Sequence, residues 1–138
     1  MKNKILKTCL AFFIPLAILI LFYLITGIGI ENTFLASDMQ AQYIALFKYL
    51  REFSFSDCFY LLNKGLGGGM FGTITYYLSS PLNFIIYLFP KDNIVFAVIT
   101  LITLKISLSG LTMYTYLKYK YKTDSWKLLL FSTCYALM

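Results

Sequence analysis

None of the 138 residues is a histidine. That absence excludes histidine-based triads and histidine-ligated zinc. Three cysteines, Cys9, Cys58 and Cys134, are too scattered for a CxxC pair or a disulfide framework. Charge is also scarce. Charged residues make up 13% of the chain, about half of the roughly 25% usual in soluble domains. What fills the space is apolar: 59% of residues are hydrophobic and 19% aromatic, and the mean hydropathy is +0.73. A soluble domain of this length buries only about two-thirds of its unfolded surface and cannot hide so much apolar area. The composition therefore predicts a membrane protein. Lys and Arg outnumber Asp and Glu by 12 to 6, but these charges flank apolar runs instead of forming a soluble basic face. That is the membrane-surface pattern, and no nucleic-acid partner is expected.

Lys2, Lys4 and Lys7 precede an uncharged run. Residues 9–28 are read as a first transmembrane helix, because about 20 residues cross the hydrocarbon core. The run is longer than a signal-peptide core and no A-x-A site follows it, so cleavage is the weaker reading. The lysines place the N-terminus in the cytoplasm. Residues 29–93 read as one long outer loop. Within it, Tyr43, Leu46, Phe47 and Leu50 keep helical spacing, with Gln40, Lys48, Arg51 and Glu52 off that stripe. The pattern predicts an amphipathic helix over 40–53 on the outer membrane surface, opened by a capping-box pair, Ser37 and Gln40. Lys64-Gly65-Leu66-Gly67-Gly68-Gly69 is predicted to be a turn or a loop in close approach to something. Its backbone N–H groups could help hold a phosphate, but it lacks the P-loop pattern, and a tight turn is the simpler reading.

Residues 73–89 are apolar, at the short limit for a span, and interrupted by Ser79-Ser80-Pro81. If they crossed the membrane, the cluster Lys118, Lys120, Lys122 and Lys127 would lie outside, against the positive-inside rule. An interfacial or re-entrant helix at 73–89 is therefore expected, with 94–117 a second full span, 118–125 a cytoplasmic loop and 126–138 the start of a third span.

Few groups can carry chemistry. Asp124 falls on the cytoplasmic side, whereas Glu31, Asp38, Glu52, Asp57 and Asp92 fall outside. Asp38 stands just before the amphipathic helix, where the membrane surface can tune a general base. The simpler reading from the residues alone is that it sits in the first helical turn, favoured by the helix dipole. Lys105 lies in the middle of a span, a costly place for a charge, with Ser109, Thr112 and Tyr116 on its helical face. That stripe is expected to face a helix bundle or a wet cavity. Lys105 could meet an anionic lipid group or a buried acid, or serve only as helix–helix glue. Asp38 and Asp57 could share a cation, but their spacing requires none; no metal site and no cofactor are predicted.

An ordered set of motifs runs through the chain: Ser37-Asp38-Met39-Gln40-Ala41-Gln42-Tyr43, the glycine run, Tyr76-Tyr77-Leu78-Ser79-Ser80-Pro81, Leu88-Phe89-Pro90, Leu104-Lys105, Gly110-Leu111-Thr112 and Tyr114 to Leu117. Together these resemble the N-terminal part of the YfhO family of bacterial multi-pass membrane proteins. The resemblance implies an all-α integral membrane fold of the GT-C glycosyltransferase type, in the bacterial cytoplasmic membrane. Such enzymes take a sugar from a polyprenyl-phosphate carrier outside the membrane and pass it to an envelope polymer such as teichoic acid. An acidic residue in the first outer loop activates the acceptor hydroxyl, and Asp38 is the matching position. On the same reading Gln40 and Gln42 hydrogen-bond sugar or acceptor hydroxyls, and Lys105 neutralises a carrier phosphate. The partners implied are membrane lipid, the lipid-linked sugar and the polymer acceptor. Members of the family are several times longer, so the chain is expected to be a fragment, inactive alone, of a longer transferase. A second reading, a non-enzymatic transporter or flippase-type subunit for lipid-linked sugars, explains the broken segment and Lys105 equally well.

Overall fold

The computed structural model describes residues 2–28, 38–52, 54–61 and 67–138. Ser37, Glu31 and residues 62–66 lie outside these, as do the side chains of Asp57 and Cys58, so the capping-box pair and the shared-cation idea fall outside the described residues. Among the described residues the chain is helical with no strand; one isolated antiparallel bridge joins Leu61 and Gly68. Two compact units divide it, one of residues 1–32 with 102–138 and one of residues 33–101.

The first unit begins with α1, Lys2–Thr26, 25 residues long. Lysines are good helix formers, so the helix starts before the apolar run does. It ends in a Schellman cap: Gly27 adopts φ +69°, and the Ile28 N–H donates to the Tyr23 carbonyl at 3.1 Å. Its 22-residue apolar stretch, Ile5–Thr26, reaches about 33 Å at 1.5 Å per residue, enough to cross a bilayer core. A second stretch of that kind runs from Lys91 to Tyr121 and contains the long helix named α4 below.

In the second unit a π-helical turn, Met39–Tyr43, leads into α2, Ile44–Glu52. Phe47 and Leu50 are buried, while Lys48 and Glu52 are exposed. The Tyr87 hydroxyl donates to the Leu50 carbonyl, one of the orphan acceptors at the end of α2. A short 3₁₀ turn spans Phe55–Cys58. Beyond the Leu61–Gly68 bridge comes a single helical turn, α3, Phe71–Thr73, continued by a π-helical turn Ile74–Leu78. The chain then breaks. Ser80 is extended at ψ 126°, and Pro81–Leu88 winds as a 3₁₀ helix. Proline disfavours helical backbone in the residue before it and lacks an N–H, which accounts for the break at Ser80 in place of one helix over 73–89. Tyr77 bridges the two parts of the unit, edge-on to Tyr43 with centroids 5.4 Å apart.

Helix α4, Ile94–Tyr121, carries residues 94–101 in the second unit and 102–121 in the first. It stops at Lys122, which takes a left-handed φ of 49°. Ser125 then caps α5, Trp126–Leu137, its Oγ accepting from the Lys127 N–H at 3.1 Å.

In the first unit α1, α4 and α5 share a core of Ala11, Tyr114, Leu128 and Leu129. The helices come close at Gly110. A Cβ there would lie 2.7 Å from the Ala11 carbonyl oxygen, 3.1 Å from Pro15 Cγ and 3.3 Å from Ala136 Cβ. Pro15 explains why that oxygen is available. Having no N–H, it leaves the carbonyl four residues earlier without its helical partner. Small residues line the same face, as in membrane bundles generally. Ser107 and Ser132 are fully buried, and each hydroxyl is satisfied by a carbonyl of its own helix. Thr103 reaches across to α1, donating to the Tyr23 hydroxyl at 3.1 Å.

Candidate functional site

Asp38 is the first residue of the helical run that becomes α2. Its backbone is already helical (φ −60°, ψ −32°), it is exposed, and its side chain makes no capping hydrogen bond. A capping aspartate would take extended backbone and bind an N–H two or three residues on; Asp38 does neither. Gln40 and Gln42 stand on the following π-helical turn and are exposed as well. These three polar residues occupy one short stretch at the head of an amphipathic helix.

Lys105 is elsewhere, half-buried in the part of α4 that belongs to the first unit. The stripe predicted for it is not the helix's packed face. Thr112 and Tyr116 are exposed, whereas Thr103, Ser107, Gly110 and Tyr114 are buried. Small residues that let backbones approach decide which face of a membrane helix packs, and the charge does not.

Of the glycine run, Gly67, Gly68 and Gly69 are among the described residues, and Gly67 has the left-handed backbone expected of a glycine in close approach to a neighbour. Its φ is +96°, and a Cβ on it would run into the Tyr60 hydroxyl. Gly68 is committed to the backbone: its N–H donates to the Leu61 carbonyl at 3.2 Å and its carbonyl accepts from Leu61 at 2.9 Å. That N–H is therefore not offered to a phosphate.

A dense polar cluster among the described residues centres on a residue the sequence left without a role. Asp124, in the turn between α4 and α5, accepts from the Tyr114 hydroxyl at 2.7 Å. Lys7 of α1 lies 3.4 Å from the same carboxylate oxygen and donates to the Asp124 carbonyl at 2.8 Å. Lys118 is 3.2 Å from the other carboxylate oxygen. Lys7 also stands over the Trp126 ring, 5.3 Å from its centroid. The Asp124 side chain is only 14% exposed. The Tyr114 hydrogen bond, aided by Lys118 and Lys7, outweighs burial and holds its carboxyl down at about 2 from an ordinary 3.8. One clue was legible: Asp124 is the sole acid among Lys118, Lys120, Lys122 and Lys127. The contact with Lys7, more than a hundred residues away, was not. The cluster ties three helices at one end of the unit and reads as a structural pin.

A pH dependence follows from the depressed value. Stability from this pin is complete above pH 3.8 and is lost as pH falls through about 2. The thermal midpoint of the solubilised protein should fall by several degrees over that window. The Asp124→Asn variant should have a lower midpoint at neutral pH and lack most of the acid step. An identical acid profile in both proteins would show that Asp124 is not the pin.

An open groove of about 460 Å³ lies in the second unit, between α2 and the start of α4. Lys48, Arg51, Glu52, Lys91 and Asp92 supply its polar lining, and Ile44, Ile94 and Val95 its apolar lining. Lys91 and Glu52 form an ion pair at 3.8 Å, both about 70% exposed; such a pair contributes little.

The chain matches the family described as bacterial membrane protein YfhO over residues 11–138. No curated protein and no solved structure matches it.

Proposed function

Because the chain belongs to the YfhO family of bacterial membrane proteins, we propose that it is part of a GT-C type glycosyltransferase, with Asp38 as the base that activates the acceptor. The whole protein moves a sugar from a polyprenyl-phosphate carrier to an envelope polymer such as teichoic acid. In this reading α1 and α4 cross the cytoplasmic membrane with the N-terminus inside, and residues 29–93 lie outside. Asp38 removes the proton of the acceptor hydroxyl as its oxygen attacks the anomeric carbon, and the carrier leaves as its phosphate. Gln40 and Gln42 hydrogen-bond the sugar or acceptor, and Lys105 offsets the carrier's charge.

The observation that supports this reading is the state of Asp38. Its carboxylate is exposed, it caps nothing, and it heads a helix whose one face is apolar and whose other face is charged. Such a helix suits a membrane surface, where a lipid carrier presents its sugar. The reading requires Asp38 to be outside. A single cysteine placed by Asp38→Cys in a cysteine-free background should react with a membrane-impermeant maleimide in intact cells. Labelling only after the membrane is opened would overturn the topology, and with it the catalytic role.

The broken segment favours a second reading. The chain at Ser79-Ser80-Pro81 interrupts two short helical pieces, a device that transporters use where backbone lines a path. On that reading the protein moves lipid-linked sugars without cleaving them, and Asp38 has no special task.

A further inference from the structure

Arg51 is the feature of the second unit that no role above uses. Its Nη1 nitrogen is shut off from solvent, and no group among the described residues accepts a hydrogen bond from it. A buried charged donor left unsatisfied is costly, and native structures rarely keep one without a reason. Arg51 lines the groove between α2 and the start of α4, and two further cations, Lys48 and Lys91, line it too. Two carboxylates stand there as well. Glu52 is engaged with Lys91, and Asp92 is exposed. Lys48 makes no ion pair among the described residues. The groove thus keeps a surplus of positive charge around a guanidinium whose Nη1 has no acceptor among the described residues.

Two more observations specify the ligand. The groove includes Ile94 and Val95, the first residues of α4. The N-terminus of a 28-residue helix therefore abuts it, with the positive end of its dipole. The same helix is long and apolar enough to cross a membrane, so its first turn belongs at headgroup depth. The apolar side chains beside the cations suit the start of an acyl or glycerol chain more than bulk water.

We propose that this groove binds the phosphate of an anionic lipid headgroup, with Arg51 as its main ligand and Lys48 as support. A phosphodiester accepts two parallel bonds from a guanidinium, which an ammonium cannot supply. The site does not depend on Asp38 being a base and would hold in a transporter equally.

Lipid retention by the whole protein in detergent micelles tests this by native mass spectrometry. The probes are phosphatidylglycerol, phosphatidylcholine and inorganic phosphate. Wild-type protein should retain phosphatidylglycerol in preference to phosphatidylcholine, and millimolar inorganic phosphate should not displace it. Arg51→Gln should weaken phosphatidylglycerol binding by about tenfold or more, and Arg51→Lys by less, because it keeps charge but loses the fork. Lys48→Gln, at an exposed position that does not threaten folding, should weaken it by about threefold. Displacement by inorganic phosphate would overturn the lipid assignment in favour of a soluble phosphate. Unchanged phosphatidylglycerol retention in both Arg51→Gln and Lys48→Gln would overturn the site.

Discussion

The Asp38→Asn substitution in the whole protein should lower sugar transfer about 10²- to 10⁴-fold, the contribution of a positioned general base. Its thermal midpoint should stay where it is, because the Asp38 carboxylate makes no capping hydrogen bond and lies on the surface. Asp38→Glu keeps the carboxylate but shifts it by one methylene. It should recover part of the rate, since a misplacement of about 1 Å can still cost roughly a hundredfold. Asp38→Ser separates catalysis from helix capping. Serine is as good a cap as aspartate, and a capping role would be worth about 1 kcal/mol of stability. If Asp38 only started the helix, the serine variant would behave as wild type in both stability and transfer. If it is the base, that variant should be as inactive as Asp38→Asn.

The second large effect is expected at Gly110. Gly110→Leu should stop α1, α4 and α5 from packing and leave little folded protein after solubilisation. Gly110→Ala is the finer test. Alanine gains about 1 kcal/mol of helix propensity over glycine, so a site with room would be stabilised. Here the new methyl would meet the Ala11 carbonyl oxygen at 2.7 Å. That oxygen belongs to a helix backbone and cannot swing aside as a side-chain tip could. Overpacking of this kind costs about 1–3 kcal/mol, and the sign of the net change should be destabilising. Pro15→Ala gives a control. It restores an N–H for the Ala11 carbonyl and removes the ring that also touches Gly110, so Gly110→Ala should do less harm in that background. A neutral or stabilising Gly110→Ala in the wild-type background would show that the three helices do not meet as described.

Much of the fold was legible because it rests on properties local to the chain. Apolar length marked α1 and α4, since only a helix satisfies its own backbone in lipid. The Phe47 and Leu50 spacing marked the buried side of α2. Pro81 marked the break in the segment after α3, because its ring acts on its own neighbours. The failures share a different cause. The packed face of α4 was misread because Lys105 drew attention by its charge, whereas Gly110 and Ser107 decide the packing by their small size. The Asp124 pin escaped because Lys7 comes from the far end of the chain. The Ala11 carbonyl and Gly110 meet only through a defect that Pro15 makes in another helix. The groove at Arg51 was hidden for the same reason, since Arg51 and Lys91 are forty residues apart. For Asp38, position and residue type were legible, but the missing cap bond was not.

The most direct test is to supply the purified whole protein, in proteoliposomes, with a polyprenyl-phosphate sugar labelled in its sugar and with an envelope-polymer acceptor. The account predicts that label passes to the acceptor, that free carrier phosphate accumulates in equal amount, and that both stop in Asp38→Asn. Labelled lipid that crosses the bilayer with its sugar still attached, at the same rate in both proteins, would contradict it and make the protein a carrier.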